Sequence, residues 1–287
     1  MRRAVQIPLL IIIIAAGLGV LFYPDVSHWW NSRVHAVLVF NYQEELAQMR
    51  ADHIEDHWRR AHEFNAILSQ TAPRDVLRNG AAMAREEYLD ILNIGGVMAL
   101  VEIPAINVNL PVFHTVGHDV LLRGVGHMEI SSFPVGGYNT HSVLTAHSGL
   151  ASHRLFTDLE ELDIGQLFFI RVLGETLAYQ VDQRRVVLPH QVDDIRIIPD
   201  ADHVTLVTCT PFAINSHRLL VRGVRVPYEP GIIEQIASIL PEENIMLDLR
   251  IVIIANVLLF FILALIFSRA VKTVMRHRKL NARALGL

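Results

Sequence analysis

From Val97 to Tyr228 the chain breaks into short β-type strings, each closed by Gly, Pro, Asn or Asp: VMALVEIP, VNLPVFH, HSVLTAH, LFFIRVLG, TLAYQVDQRRVVLP, HVTLVTC and HRLLVRGVRVP. Little helical pattern separates them. Seven or eight strands in roughly 130 residues, with turn residues between, predict an all-β domain built as a closed β-barrel of about eight strands with short helices. Gly174 to Thr176, between Val172 and Leu177, reads as a hairpin turn. Internal repeats and low-complexity segments are absent.

Two apolar runs flank this region. Ala4 to Phe22 carries no charge, and as a helix at about 1.5 Å per residue its length of about 19 residues spans roughly 28 Å, a bilayer's hydrocarbon core. Ile251 to Ser268 has Asn256 as its one strongly polar residue. Arg2 and Arg3 precede the first run, and Arg269, Lys272, Arg276, Arg278, Lys279 and Arg283 follow the second. Positive flanks stay in the cytoplasm, so the expectation is a two-pass membrane protein with both termini cytoplasmic and the domain between them extracellular. A cleaved signal peptide is the other reading of the first run, and it leaves that topology unchanged. The composition is 52% hydrophobic and 19% charged with net charge −4, and the basic excess lies only at the ends, which excludes nucleic acid as a partner.

Between the first run and the barrel the pattern is helical from Ser32 to Ser69, as one amphipathic helix or a broken pair. Ile54, Trp58, Ala61, Asn65 and Leu68, joined by Phe64 and Ile67, form its apolar face. His53 and His57 stand one turn apart, but no third ligand is placed near them, and a solvated helix face is the stronger reading. SQTAPRDVLRNG is a loop, AAMAREEYLDIL a further short helix, and Glu229 to Arg250 leads from the barrel to the second apolar run. The organisation expected is therefore a signal anchor at 1–23, a helical and lid-like extension at 24–96, the barrel at 97–228, a linker at 229–250, a membrane helix at 251–268 and a basic tail at 269–287.

Cys209 is the single cysteine, so no internal disulfide exists. A lone thiol in an exported domain is either an inert small hydrophobe or a reactive group. It closes the strand HVTLVTC, His147 closes HSVLTAH, and Arg218 opens HRLLVRGVRVP. A nucleophilic cysteine needs a proton acceptor and a charge-stabilising partner at a cleft, and three strand ends can converge on one barrel end. At pH 7 an ordinary thiol is only about 3% thiolate and an ordinary imidazole about a quarter protonated, so the productive ion pair starts as a minority form. Neither a metal cluster nor a phosphate-cradling glycine loop is evident, and Gly95-Gly96 and Gly136-Gly137 read as turns.

TLVTC followed by Arg218, together with YLDILN, GVMALVEIPAINVNLPVFH, LLRGVGHMEISSFPVGGYNTHSVLTAH and TPFAINSHRLLVRGVRVPY, resembles the class C, or pilus-type, sortases, cysteine transpeptidases of Gram-positive cell surfaces. The resemblance runs over residues 88–228. It implies that Cys209 attacks the Thr–Gly bond of an LPxTG-like sorting signal to form a thioester, that His147 is the acid and base, that Arg218 positions substrate and stabilises the oxyanion, and that Thr208 helps shape the substrate site. No cofactor or metal is implied. The partners implied are surface or pilin proteins bearing sorting signals and an amine acceptor, either a pilin lysine or the peptidoglycan cross-bridge. A non-catalytic barrel that binds a surface peptide is the reading of a different class. Two departures stand out: the Asp-Pro-aromatic lid motif is absent from SQTAPRDVL, and Ser148 follows the histidine where pilus sortases commonly carry Arg, which implies an altered cleft rim.

Overall fold

The computed structural model describes residues 2–70 and 85–233, with the single positions Gln235 and Arg269, and side chains from Ile13 onward. It divides into two units, residues 1–29 with 242–287, and Trp30–Pro241. Helix α1 (Arg2–Gln48) begins in the first unit and enters the second at Trp30. The apolar run at 251–268 lies outside the described residues, as do the side chains of the first run before Ile13. Among the described residues no helix is long and apolar enough to cross a membrane, so the expected pair of flanking spans has no counterpart there. The lid-like stretch at 71–84 is likewise outside them.

The second unit holds the barrel. Its strands are β1 (Ala99–Ile103), β2 (Val108–His114), β3 (Val125–His127), β4 (Thr140–Thr145), β5 (Leu167–Val172), β6 (Glu175–Val187), β7 (Asp202–Thr210) and β8 (His217–Val226). They close in the order β1-β2-β3-β4-β7-β8-β6-β5. Six of the eight contacts are antiparallel, while β2 with β3 and β4 with β7 run parallel. The expected hairpin is β5–β6, and its turn is shorter than the sequence suggested: Val172 pairs with Glu175, leaving Leu173 and Gly174, both at positive φ, as a two-residue connection.

Period-two alternation divides each strand between two environments. Leu144, Val204, Leu206, Leu219 and Val221 point into the main core, whereas Val143, Val187, Val207 and Leu220 form a separate apolar cluster on the outer face, covered by Met128 and Ile195. Gly223 is a packing requirement inside the barrel: a Cβ there would meet Phe168 at 2.5 Å, and Phe168 stacks on Tyr179 with centroids 5.6 Å apart.

Helix α2 (Ala51–Gln70) follows α1 after a break at Met49–Arg50, so the broken-pair reading holds, and Ala61, Phe64, Asn65 and Leu68 form its buried face. Ile67 is exposed rather than part of that face. His57 accepts the Leu92 N–H at 3.2 Å, a structural role. The short helix α3 (Arg85–Asp90) brings Tyr88 onto His127 at 3.0 Å, and His127 stacks on Phe133 at 5.4 Å; burial pushes the His127 imidazole down to about 3, so it stays neutral.

Tyr42 and Asn65 are among the polar residues that fasten these helices to the barrel. The Tyr42 hydroxyl of α1 accepts the Leu173 N–H at 3.0 Å in the β5–β6 turn. Asn65 of α2 satisfies both backbone groups of Phe133, accepting its N–H at 2.8 Å and donating to its carbonyl at 3.1 Å, all buried. Asn65→Ala orphans both groups at about 1–3 kcal/mol each, and a loss of about 2–4 kcal/mol is expected in urea denaturation. A loss below about 1 kcal/mol would show that the helices do not depend on this clasp.

Candidate active site

Parallel pairing of β4 with β7 is what gathers the candidate residues. Both strands run toward the same end of the barrel, and the register couples Thr140 to Asp202 through to Thr145 with Val207. The Ala146 N–H continues the ladder to the Val207 carbonyl at 3.1 Å. His147 follows, beyond the last pair of that register, in a loop whose next residue, Ser148, reaches the Cys209 carbonyl. Antiparallel β8 starts from the same end, and its register sets Arg218 directly opposite Cys209. Cys209 and Arg218 are thus paired across β7 and β8, and the loop that carries His147 is bonded to the Cys209 backbone. Cys209 shares the face of Val207, so it stands on the outer side of the barrel, half-buried, with the apolar cluster of Val143, Val187, Val207 and Leu220 leading up to it.

His147 lies two residues beyond β4, and nearly every residue around it is tied down. Thr208 donates its hydroxyl to the Ala146 carbonyl at 2.9 Å. The Phe156 N–H bonds the His147 carbonyl at 3.1 Å, and the Gly149 N–H bonds the Thr157 hydroxyl at 3.1 Å. Ser148 donates its hydroxyl to the Cys209 carbonyl at 2.5 Å. These contacts correct one expectation. Thr208 is 1% exposed and faces inward opposite Leu219, so it shapes the site by holding the histidine loop and offers nothing to a substrate directly. Ser148 is 7% exposed and turned toward β7.

The histidine Nε2 is itself buried and has no hydrogen-bond partner among the described residues. Such a nitrogen is costly to leave dry unless it exchanges a proton with something that enters the site. His118, on the single-turn helix α4 (His118–Leu121), brings its ring to 6.1 Å from that of His147, nearly edge-on at 72°. The sequence pattern had no signal for this neighbour, because α4 and β4 meet only through the fold. Arg218 bonds the carbonyls of Asn215 at 3.2 Å and His217 at 2.9 Å, both through Nη1, which pins the guanidinium at the mouth of the β7–β8 loop. That loop, residues 211–216, carries Phe212 and Ile214 outward, 62% and 71% exposed. Phe212 rests over the turn after His147, since a Cβ on Gly149 would meet its ring at 3.3 Å.

The remaining histidines near these motifs do structural work. His141 contacts the Thr205 hydroxyl at 2.7 Å and the Arg196 carbonyl at 2.8 Å, and His217 contacts Ser216. Among the described residues no group of three or more His, Cys, Asp or Glu side chains is placed to hold a metal ion.

Comparison with known proteins gives the site its context. The sortase-domain family model matches residues 101–226, which contain His147, Cys209 and Arg218. Sortase A of Streptococcus agalactiae is 32% identical over 120 residues, 41% of this chain and 47% of its own length, so the chain spans about half of that relative. The crystal structure of Streptococcus agalactiae sortase C1 is 40% identical with a TM-score of 0.61, covering 68% of this chain and 97% of the solved one. Clostridium perfringens sortase C, solved with the C-terminal cell wall sorting motif, is 40% identical with a TM-score of 0.60, covering 67% of this chain and all 100% of its own. With class C enzymes as its structural neighbours over nearly their whole length, the chain belongs to the sortase family of cysteine transpeptidases.

Proposed function

We propose that this chain is a membrane-anchored class C sortase that cleaves an LPxTG-like sorting signal between Thr and Gly and transfers the acyl group to an amine, a lysine of another pilin subunit. The observation that carries the reading is Arg218 set opposite Cys209 in the β7–β8 register, with the loop of His147 bonded to the Cys209 carbonyl through Ser148. The sorting motif held by the Clostridium perfringens relative supports the substrate class.

In the first half-reaction the Cys209 thiolate attacks the threonine carbonyl carbon, and its electron pair becomes the C–S bond while the carbonyl oxygen takes the negative charge. Arg218 faces that oxyanion: its Nη1 is engaged with the loop backbone, and Nε and Nη2 have no bond among the described residues. Collapse of the tetrahedral intermediate expels the glycine nitrogen, which takes a proton from the His147 imidazolium. In the second half the acceptor amine loses its proton to neutral His147, attacks the thioester carbon and releases the thiolate. Water is not consumed, and the enzyme returns to its starting protonation state. The apolar outer cluster at Val207 and Leu220 supplies a dry floor for the aliphatic residues that precede the scissile bond.

The runs at 4–22 and 251–268 would hold the catalytic unit at the outer membrane face. Full-length protein is then expected to stay in the membrane pellet after alkaline carbonate washing, and release into the supernatant would remove the anchor from the proposal.

Incubation of the full chain with an LPxTG-type peptide is expected to leave a thioester adduct on Cys209, visible by mass spectrometry and abolished in Cys209→Ala. An unmodified protein, or equal turnover by the variant, would refute the reaction. Supplying pilin protein and cross-bridge peptide as competing amines identifies the acceptor, and a product made only with the cross-bridge would replace polymerisation by wall anchoring.

A third test concerns the acid–base group. Burial, and then the charge of His118, hold the His147 imidazole below the ordinary histidine range. Both causes favour the neutral ring, so removing one raises the midpoint. His118→Gln is expected to move the His147 titration upward in NMR spectra, yet leave it depressed because burial is the larger cause. An unchanged or lowered midpoint would show that the two rings are not electrostatically coupled.

A further inference from the structure

The parallel ladder between β4 and β7 ends in an unusual way. Its last backbone rung runs from the Ala146 N–H to the Val207 carbonyl. In a parallel pair the next rung lies two residues on, from the Ser148 N–H to the Cys209 carbonyl. The Cys209 carbonyl is instead bonded by the Ser148 hydroxyl, at 2.5 Å. A side chain is longer than an N–H, so this substitution lets the backbone at 146–148 lift away from β7 while staying tied to it. His147 sits between two residues laced to the strand of the nucleophile, Ala146 through Thr208 and Ser148 through Cys209 itself.

We propose that Ser148 is a positioning residue, whose hydroxyl couples the height of the His147 loop to the backbone of Cys209 and thereby sets the approach of the imidazole to the thiol. The inference rests on the acid–base and nucleophile roles given above for His147 and Cys209. The two contacts are not redundant. Thr208 lies on the inner face of β7 and holds the near side of the loop, whereas Ser148 grips the far side, after the histidine, where the Gly149 turn at φ 73° would otherwise carry the chain away. The bond also fixes the Cys209 carbonyl, so the nucleophile's peptide plane and the histidine loop move together. The side chain is enclosed, so a longer one must leave the pocket and release the carbonyl.

The test uses the full-length protein and four forms of it: wild type, Ser148→Ala, Ser148→Thr and Ser148→Cys. The first readout is the rate of Cys209 alkylation by iodoacetamide across pH, which needs no substrate, with His147→Gln as the reference for a thiol deprived of its imidazole. Ser148→Ala is expected to shift the wild-type profile toward that reference, with a rate roughly tenfold lower on the acid side, the scale of one lost hydrogen bond. Ser148→Thr, which keeps the hydroxyl, is expected to remain within about twofold of wild type, and Ser148→Cys, which keeps the shape with a weak donor, to follow Ser148→Ala. The second readout is turnover of the sorting peptide, where kcat falls roughly tenfold while KM holds within about twofold. A wild-type alkylation profile and kcat in Ser148→Ala, with wild-type acylation intact, overturn the positioning role and leave the transpeptidase reading standing. Equal impairment of Ser148→Thr and Ser148→Ala, with wild-type melting temperatures, also overturns it. Shifted profiles in a protein whose wild type never acylates sustain the positioning role while the transpeptidase reading fails. If Ser148→Ala does not fold, Ser148→Cys against Ser148→Thr makes the same comparison.

Discussion

Everything at the active end depends on one strand pairing, the parallel contact of β4 with β7. In an antiparallel barrel neighbouring strand ends alternate between the two rims, so a residue closing one strand lies far from a residue closing the next. A parallel pair breaks that alternation, and the ends of β4 and β7 reach the same rim. The β5–β6 hairpin makes this possible by occupying the chain between them while β6 pairs with β8 on the far side. Antiparallel β8 then begins where β7 stops, which places an arginine on its second residue opposite the cysteine. Thiol and guanidinium are therefore brought together by topology and register, and the loop of the histidine is delivered to the same rim.

Register has a second consequence, because a one-residue slip in a strand exchanges its faces. Cys209 points outward and Thr208 inward, so a slip would bury the nucleophile in the main core and present a threonine to solvent. The inner face resists it strongly: Val204 and Leu206 are locked among Leu144, Leu219 and Val221, and Phe168 fills the space above Gly223. The well-packed interior thus guarantees the orientation of a reactive group that it does not contain. The helical extension adds to this by clamping loops, through Tyr42 on the β5–β6 turn and Asn65 on Phe133.

The strands with clear alternation and turn punctuation were legible in the amino-acid order, and so was the placement of Cys209 and Arg218 near the ends of neighbouring strands. What stayed hidden was what depends on tertiary approach. Strand β3 is three residues long with Gly126 at its centre, too short to display a period, and it exists because β2 and β4 flank it. Ile67 satisfied the helical spacing of an apolar face, yet α2 meets the barrel over a narrower arc than the spacing allows. Ser148 was visible as a departure from a familiar pattern, but its bond to the Cys209 carbonyl was not, since nothing in a sequence tells whether a small polar side chain turns in or out. His118 was one of fifteen histidines, and only the fold sets it beside His147.

That neighbour bears on how the two half-reactions are balanced. In the proposed reaction one histidine acts as an acid when the glycine amine departs and as a base when the acceptor amine arrives, and no single proton affinity is best for both. Burial and the adjacent His118 push His147 in the same direction, toward the neutral ring. This arrangement favours the second task, because the neutral ring is the form that takes the one proton a neutral amine gives up as it attacks. It burdens the first, because the thiolate–imidazolium pair becomes scarcer in the resting enzyme. Entry of a sorting peptide excludes water from the cleft, and a thiolate beside the ring then strengthens its hold on a proton through a lower local dielectric. The depressed resting affinity is thus compatible with an acid in the loaded site, provided the imidazole is held close to the sulfur throughout, which is what the laced loop between Ala146 and Ser148 is built to do.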